Sequence, residues 1–163
     1  MRKALIIAAL IIPTSVGVAT AAPDNAFGFR GWGPRIGLTS EPDQVHFGAH
    51  FDLGYLGDQV RFQPNFELGV GDGRTLGAMN FEAAYRFLSR WDAWSPYAGG
   101  GLGLNVVGRD DGLLGDTTTD VGLNAMAGIE RGTSGGNRFF MEVKLGLTDS
   151  PGFKLTSGWT FYH

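Results

Sequence analysis

Apolar and polar residues alternate along most of the chain with a period of two. From Val45 to Tyr55 the odd positions carry apolar side chains, whereas the even positions carry His, Gly or Asp. Side chains of a β-strand point alternately to opposite faces, so this alternation predicts a strand with one apolar face. The pattern occurs eight times, and turn-forming clusters of Gly, Pro, Asp, Asn or Ser separate the repeats. The sequence therefore predicts an all-β protein with eight antiparallel strands connected up and down.

The two faces of the predicted strands differ in charge. The apolar faces, such as the one formed by Phe62, Phe66 and Leu68, carry no charged residue. The opposite faces carry Arg35, His46, His50, Asp52, Arg61, Gln63, Asn65, Glu67, Asn80, Glu82, Arg86, Asn105, Asn124, Glu142, Lys144, Lys154, Thr156 and Thr160. Two barrels fit this pattern: an exported soluble barrel of the lipocalin type with its apolar face inside, or a transmembrane barrel with its apolar face toward lipid.

Three features favour the transmembrane barrel. Most apolar faces are five or six residues deep, which matches the roughly 9–11 residues that a tilted strand needs to cross a bilayer. The polar faces are rich in Gly, as the narrow lumen of an eight-stranded barrel requires. Aromatic residues gather at one predicted end of the strands, as in an interfacial girdle. The predicted girdle consists of Trp32, Tyr55, Phe87, Trp91, Trp94, Tyr97, Trp159 and Phe161.

The connections follow from the strand order. With a periplasmic amino terminus, the periplasmic turns fall at 56–59, 88–96 and 131–137. The outer loops fall at 39–44, 71–75, 107–119 and 148–152. Pro34 and Pro64 lie within predicted strands although each lacks a backbone donor, so we expect a bulge or a strand end near each.

The amino-terminal segment has the features of a secretory signal peptide. Arg2 and Lys3 precede an apolar run, and the small residues around Ala21 form a cleavage site. We therefore expect a signal peptide at 1–21 and a barrel domain at 22–163. Removal of that segment leaves 11 basic and 16 acidic residues, a formal charge of −5 that argues against a nucleic-acid partner. The absence of Cys excludes a disulfide-stabilised fold.

The charged lumen residues are candidates for a structural role. Charges in a narrow lumen must be paired to be tolerated, which predicts a plugged barrel that conducts ions poorly. The predicted ion-pair network consists of Arg35, Glu82, Arg86, Glu142, Lys144 and Lys154. A narrow channel for small solutes or ions is the alternative.

Catalytic and metal chemistry have weaker support. His46 and His50 lie four residues apart on one strand, about 13 Å from each other, and so cannot bind the same metal ion. A lipid A-modifying enzyme would need a base near a lipid-facing nucleophile, and Ser157 has no His or acid on its own strand's outer face. We expect no active site, metal or cofactor.

The sequence resembles the outer-membrane β-barrel family of the OmpA transmembrane domain and the OmpX-like and opacity-type surface proteins. The segment from Ser95 to Gly103, SPYAGGGLG, is typical of a central barrel strand, and the segment from Gly158 to His163, GWTFYH, resembles the aromatic closing strand. Family members usually end on an aromatic residue, whereas here His163 follows Tyr162.

The resemblance implies a monomeric protein of the Gram-negative outer membrane with a structural, envelope-integrity or surface-interaction role. Its expected partners are outer-membrane lipid, lipopolysaccharide and, during insertion, the barrel-assembly machinery.

Overall fold

The computed structural model describes residues 27–109 and 117–162, and within these ranges almost every segment is a β-strand. The predicted signal peptide and the centre of the outer loop predicted at 107–119 lie outside the described residues. The strands are β1 (Phe27–Ser40), β2 (Gln44–Gly57), β3 (Val60–Phe62), β4 (Asn65–Gly71), β5 (Arg74–Arg86), β6 (Ser95–Arg109), β7 (Thr117–Gly132), β8 (Arg138–Gly146) and β9 (Phe153–Tyr162). A short 3-10 turn, Ser134–Gly136, precedes β8. No helix in the described ranges is long and apolar enough to cross a membrane.

The nine strands form an eight-stranded barrel because β3 and β4 are two halves of one barrel strand. Both halves pair with β2 on one side and β5 on the other. The interruption falls at Gln63 and Pro64, and it is held on both sides: the Phe51 amide donates to the Pro64 carbonyl at 2.9 Å, and the Gln63 amide donates to the Glu82 carbonyl at 2.8 Å. The expected strand end at Pro64 is confirmed.

The sheet is closed by the first and last strands. β1 pairs antiparallel with β2 and also with β9, so every described strand has a partner on each side. Such closure leaves none of the described strands with a free edge, as a membrane-spanning sheet requires. The predicted eight-stranded up-and-down antiparallel barrel is therefore confirmed.

Pro34 interrupts this closing pair locally. The β1–β9 register runs from Trp32 opposite Phe161 directly to Arg35 opposite Gly158, and the positions between them are not paired. On the other side, Pro34 still lies opposite Ala49 of β2. Because proline lacks an N–H group, it can keep its place in β1 only where one ladder bond is given up.

A glycine of β7 makes room for a large side chain of β6. Gly128 lies directly opposite Tyr97, whose ring occupies the space that a side chain at Gly128 would need. A Cβ atom there would also lie 2.6 Å from the Met141 carbonyl oxygen, which belongs to the backbone of β8. Gly128 thus leaves room for the Tyr97 ring inside a narrow lumen.

We expect Gly128→Ala to lower the free energy of unfolding by about 1–3 kcal/mol, because the added methyl group must displace both a ring and a backbone carbonyl. Urea unfolding of the refolded barrel in detergent micelles, followed by tryptophan fluorescence, measures this change.

Gly132→Ala is the matched control on the same strand, since a Cβ atom at Gly132 would contact nothing within 4 Å. Equal unfolding midpoints for the two variants would contradict the packing argument.

Candidate functional site

Burial in this barrel is inverted relative to a soluble protein. The large apolar side chains of alternate strand positions, such as Phe47, Phe81 and Leu123, are exposed on the outside. The buried side chains are mostly polar or charged, and His50 and Asn65 are fully buried. A water-soluble barrel would carry its apolar residues inside. This distribution supports the transmembrane interpretation over the lipocalin-type one.

Glu67 of β4 is the hub of a central ion-pair cluster in the lumen. Its Oε2 atom lies 2.6 Å from Lys154 Nζ of β9, and its Oε1 atom lies 3.1 Å from Arg35 Nε of β1. Lys144 Nζ of β8 lies 3.4 Å from the same Oε1 atom. One carboxylate therefore contacts three cations from three other strands.

Two further carboxylates complete the central cluster. Glu142 Oε1 lies 2.7 Å from Arg35 Nη2, and Glu82 Oε1 lies 2.6 Å from Lys144 Nζ. The Tyr97 hydroxyl donates to Glu142 Oε2 at 2.9 Å. With Glu67 and Lys154, the cluster holds three cations and three carboxylates and is formally neutral. The contact between β8 and β5 crosses the lumen, because those strands are not neighbours in the sheet.

A layer of amides lies beside the central cluster. Asn80 Nδ2 donates to Asn65 Oδ1 at 2.8 Å, and Asn65 Nδ2 donates to Glu82 Oε2 at 2.7 Å. The space between Asn80, Asn105, Asn124 and neighbouring side chains measures about 10 Å³. A single water needs about 10–15 Å³ of such space, so this gap has room for one water at most.

A second cluster surrounds Glu130 of β7. Its carboxylate lies 2.7 Å from Arg61 Nη1, 2.6 Å from Arg86 Nε and 3.4 Å from Arg138 Nη1. Arg86 Nη1 also donates to the Tyr55 hydroxyl at 2.6 Å. Three guanidinium groups thus share one carboxylate, and aromatic faces support two of them: Arg61 lies over the Tyr97 ring and Arg138 over the Tyr162 ring.

The structure divides the predicted network differently from the sequence prediction. Five of the six predicted residues lie in the central cluster, whereas Arg86 belongs to the second cluster. Sequence reasoning assigned Glu67 to the polar face without making it a partner, and it omitted Glu130. Ile129 belongs to the predicted outward face of its strand. Because side chains alternate along a strand, the next residue, Glu130, is expected in the lumen.

The prediction that Tyr97 belongs to the aromatic girdle is wrong. It is only 2% exposed and points into the lumen, because its neighbour Ala98 occupies the outward position of β6. Tyr55 lies half-buried at the lumen mouth, where its hydroxyl accepts the hydrogen bond from Arg86. The exposed members of the predicted set on the outer face or the adjacent loop are Trp32, Phe87, Trp91, Trp159 and Phe161. Trp94 is half-buried and packs edge-to-face against Phe139, with ring centroids 6.2 Å apart.

The histidines are held as structural lumen residues. His46 lies within hydrogen-bond distance of Thr39 and Thr156, and the His50 Nε2 atom lies 2.9 Å from Thr160 Oγ1. Within the described residues, no group of His, Asp or Glu side chains is arranged to hold a metal ion.

Ser157 lies on the outer face in apolar surroundings. Its direct cross-strand neighbours in the described sheet are Ile36 and Met141. Both histidines of the described chain are buried in the lumen, on the other side of the sheet. A hydroxyl nucleophile needs a base within hydrogen-bond reach. This environment therefore offers Ser157 no catalytic partner.

Comparison with known proteins supports the fold. No family model matches the chain, and no curated protein matches it either. The chain is similar to Neisserial surface protein A, with a TM-score of 0.64 and 18% identity, over 83% of this chain and 97% of that one. It is also similar to the Yersinia pestis outer membrane protein Ail, with a TM-score of 0.49 and 10% identity, over 82% and 99% of the two chains. The fold is that of the small outer-membrane β-barrels.

Glu67→Gln tests the central cluster, because it leaves three buried cations with two carboxylates. We expect it to lower the free energy of unfolding by about 3–5 kcal/mol, the usual cost of an uncompensated buried charge. Urea unfolding in micelles measures the loss. Asp120→Asn, which removes an exposed carboxylate near the start of β7, is the control.

Adding Lys154→Met to Glu67→Gln should recover part of that loss, since the second substitution removes the unpaired charge. Strictly additive losses in this double-mutant cycle would show that the two side chains do not act as a pair.

Proposed function

We propose that this protein, which has the small outer-membrane barrel fold, is an integral barrel of the bacterial outer membrane with a closed lumen and no active site. Its role is structural, in envelope integrity or in surface interaction. The observation that carries the proposal is the inverted burial: apolar side chains cover the outside, while paired charges and amides fill the inside. In a bilayer this arrangement places apolar side chains against lipid, and the closed sheet gives the backbone N–H and C=O groups their hydrogen-bond partners.

The closed lumen is supported by the geometry of the ion pairs. The central cluster is neutral and connects β1, β4, β5, β8 and β9, so its side chains cross the space that an ion would have to traverse. To open a path, the barrel would have to break several short buried contacts at once. Because such contacts are costly to break singly, we infer that the resting barrel is not a pore.

A narrow channel is the second candidate, because the lumen is polar and charged along its length. A lipid A-modifying enzyme is less favoured, since Ser157 lies between apolar neighbours. In the proposed setting the outer face contacts outer-membrane lipid and lipopolysaccharide, and the barrel-assembly machinery inserts a monomer whose amino terminus is periplasmic.

Membrane location is tested by extracting outer membranes with detergent and comparing heated with unheated samples on a gel. We expect the unheated protein to migrate as a compact band that shifts on boiling, because the closed sheet resists detergent until it is heated. Recovery of the protein only from the soluble periplasmic fraction would overturn the proposal.

Planar-bilayer recording tests the closed lumen. We expect the native barrel to give no stable openings, and the double variant Glu82→Ala with Lys144→Ala to give measurable conductance, because it removes a neutral pair that crosses the lumen.

Phe81→Ala with Val143→Ala is the matched control, since it alters the outer faces of the same two strands, β5 and β8. Large stable openings of the native protein would instead support the channel function.

A further inference from the structure

A groove runs across the outer face of the barrel near the end that carries the connection between β5 and β6. Its volume is about 720 Å³, within the range of about 300–1,000 Å³ that is typical of ligand sites. Its lining includes Phe87, Trp91, Ala98, Ala127, Met141 and Leu155. The groove is thus an apolar depression on the surface that the proposed function places in lipid.

The depression follows from the size of the outward side chains in two neighbouring rows, each row being a line of residues that lie directly opposite one another on adjacent strands. In one row, Ala98 lies opposite Ala127, and Ala127 lies opposite Val143. In the row nearer the rim, Pro96 lies opposite Ile129. The two alanines form a low floor, because the aromatic and large aliphatic residues around them project further from the sheet.

One wall of the groove is formed by the connection between β5 and β6. Trp91 of this connection is 65% exposed and lines the groove, and its amide donates to the Trp94 carbonyl at 2.9 Å. The Trp94 amide donates back to the Trp91 carbonyl at 3.0 Å. This paired turn holds both indoles beside the barrel wall.

A cation lies just beyond the groove, two residues along β7 from the lining residue Ile129. Arg131 follows Ile129 on the outward face of β7 and is exposed, and it lies opposite Phe139 in the next row toward the rim. Its guanidinium lies 5.4 Å from the centre of the Trp94 ring. Among the described residues, no carboxylate lies within ion-pair distance of Arg131. Stacking on an aromatic face leaves the in-plane N–H donors of arginine available for another acceptor.

We propose that this groove is a phospholipid-binding site, in which one acyl chain lies over Ala98 and Ala127 and the lipid phosphate binds Arg131. The shape of the groove alone would give it little preference for one lipid over another, because all lipid tails are as apolar as the groove. The selectivity comes from the phosphate, since guanidinium groups bind phosphate oxygens through charge-assisted, often bidentate hydrogen bonds. Arg131 lies about 7 Å beyond Ile129 along the strand, where a headgroup would follow an acyl chain.

The proposal rests on the proposed membrane location, and native mass spectrometry of the full barrel released from detergent tests it. The probes are phosphatidylglycerol and a diacylglycerol with the same acyl chains, which lacks the phosphate. We expect the native barrel to retain one phosphatidylglycerol and to retain diacylglycerol several-fold less, because only the first offers Arg131 an anion.

Two substitutions separate the headgroup contact from the acyl-chain contact. Arg131→Gln should lower the retained phosphatidylglycerol about fivefold, the equivalent of one exposed charge contact, and Arg131→Lys should restore part of it. Ala127→Leu should lower retention of both lipids, because its side chain fills the floor of the groove.

Matched controls lie outside the groove. Ala125→Leu adds the same volume two residues along β7, and Arg74→Gln removes an exposed cation at the start of β5; both should retain lipid as the native barrel does. Equal retention of the two lipids, or equal retention by Ala127→Leu and native protein, would overturn the site. A barrel that shifts on heating but shows no lipid selectivity refutes only this site, whereas a protein without the heat shift refutes the membrane proposal itself.

Discussion

The pairing of buried charges around Glu67 is the constraint on which the rest of the barrel depends. An eight-stranded barrel has a lumen so narrow that charged side chains inside it have little access to water. Each ion there must be compensated by a neighbour of opposite sign at short range. Glu67 meets this requirement for cations from β1, β8 and β9 at once, and so ties together strands that are far apart in the sequence.

The outer face is the counterpart of this lumen. Because the polar groups are confined inside and the sheet is closed by β1 and β9, the outward positions can be apolar without leaving an exposed backbone edge. The size of those outward residues then varies freely, since lipid adapts to the surface. The alanine floor beside Arg131 is one result of that freedom, and it gives the proposed lipid site its shape.

The lumen residues could be predicted only in part from the sequence. Alternation placed Arg35, Lys144 and Lys154 on the polar face, because side-chain direction in a strand repeats every two residues. Alternation does not show which carboxylate pairs with each of these three cations. Partners such as Lys144 and Glu82 come from strands that are not adjacent, and their contact depends on barrel curvature and strand register. Arg86 was therefore grouped with the central cluster although it contacts Glu130.

By itself, the sequence determined the all-β class, the number of barrel strands and the face that each strand turns outward, because these depend on local periodicity and turn residues. Only the tertiary structure decided how the charges divide into two clusters and where the outer groove lies. Those features depend on register across strands, and a single strand does not encode the position of its neighbour. Tyr97 illustrates both points. Its aromatic character suggests the girdle, but it alternates with the outward residue Ala98 and its ring fits over Gly128, so it lies in the lumen.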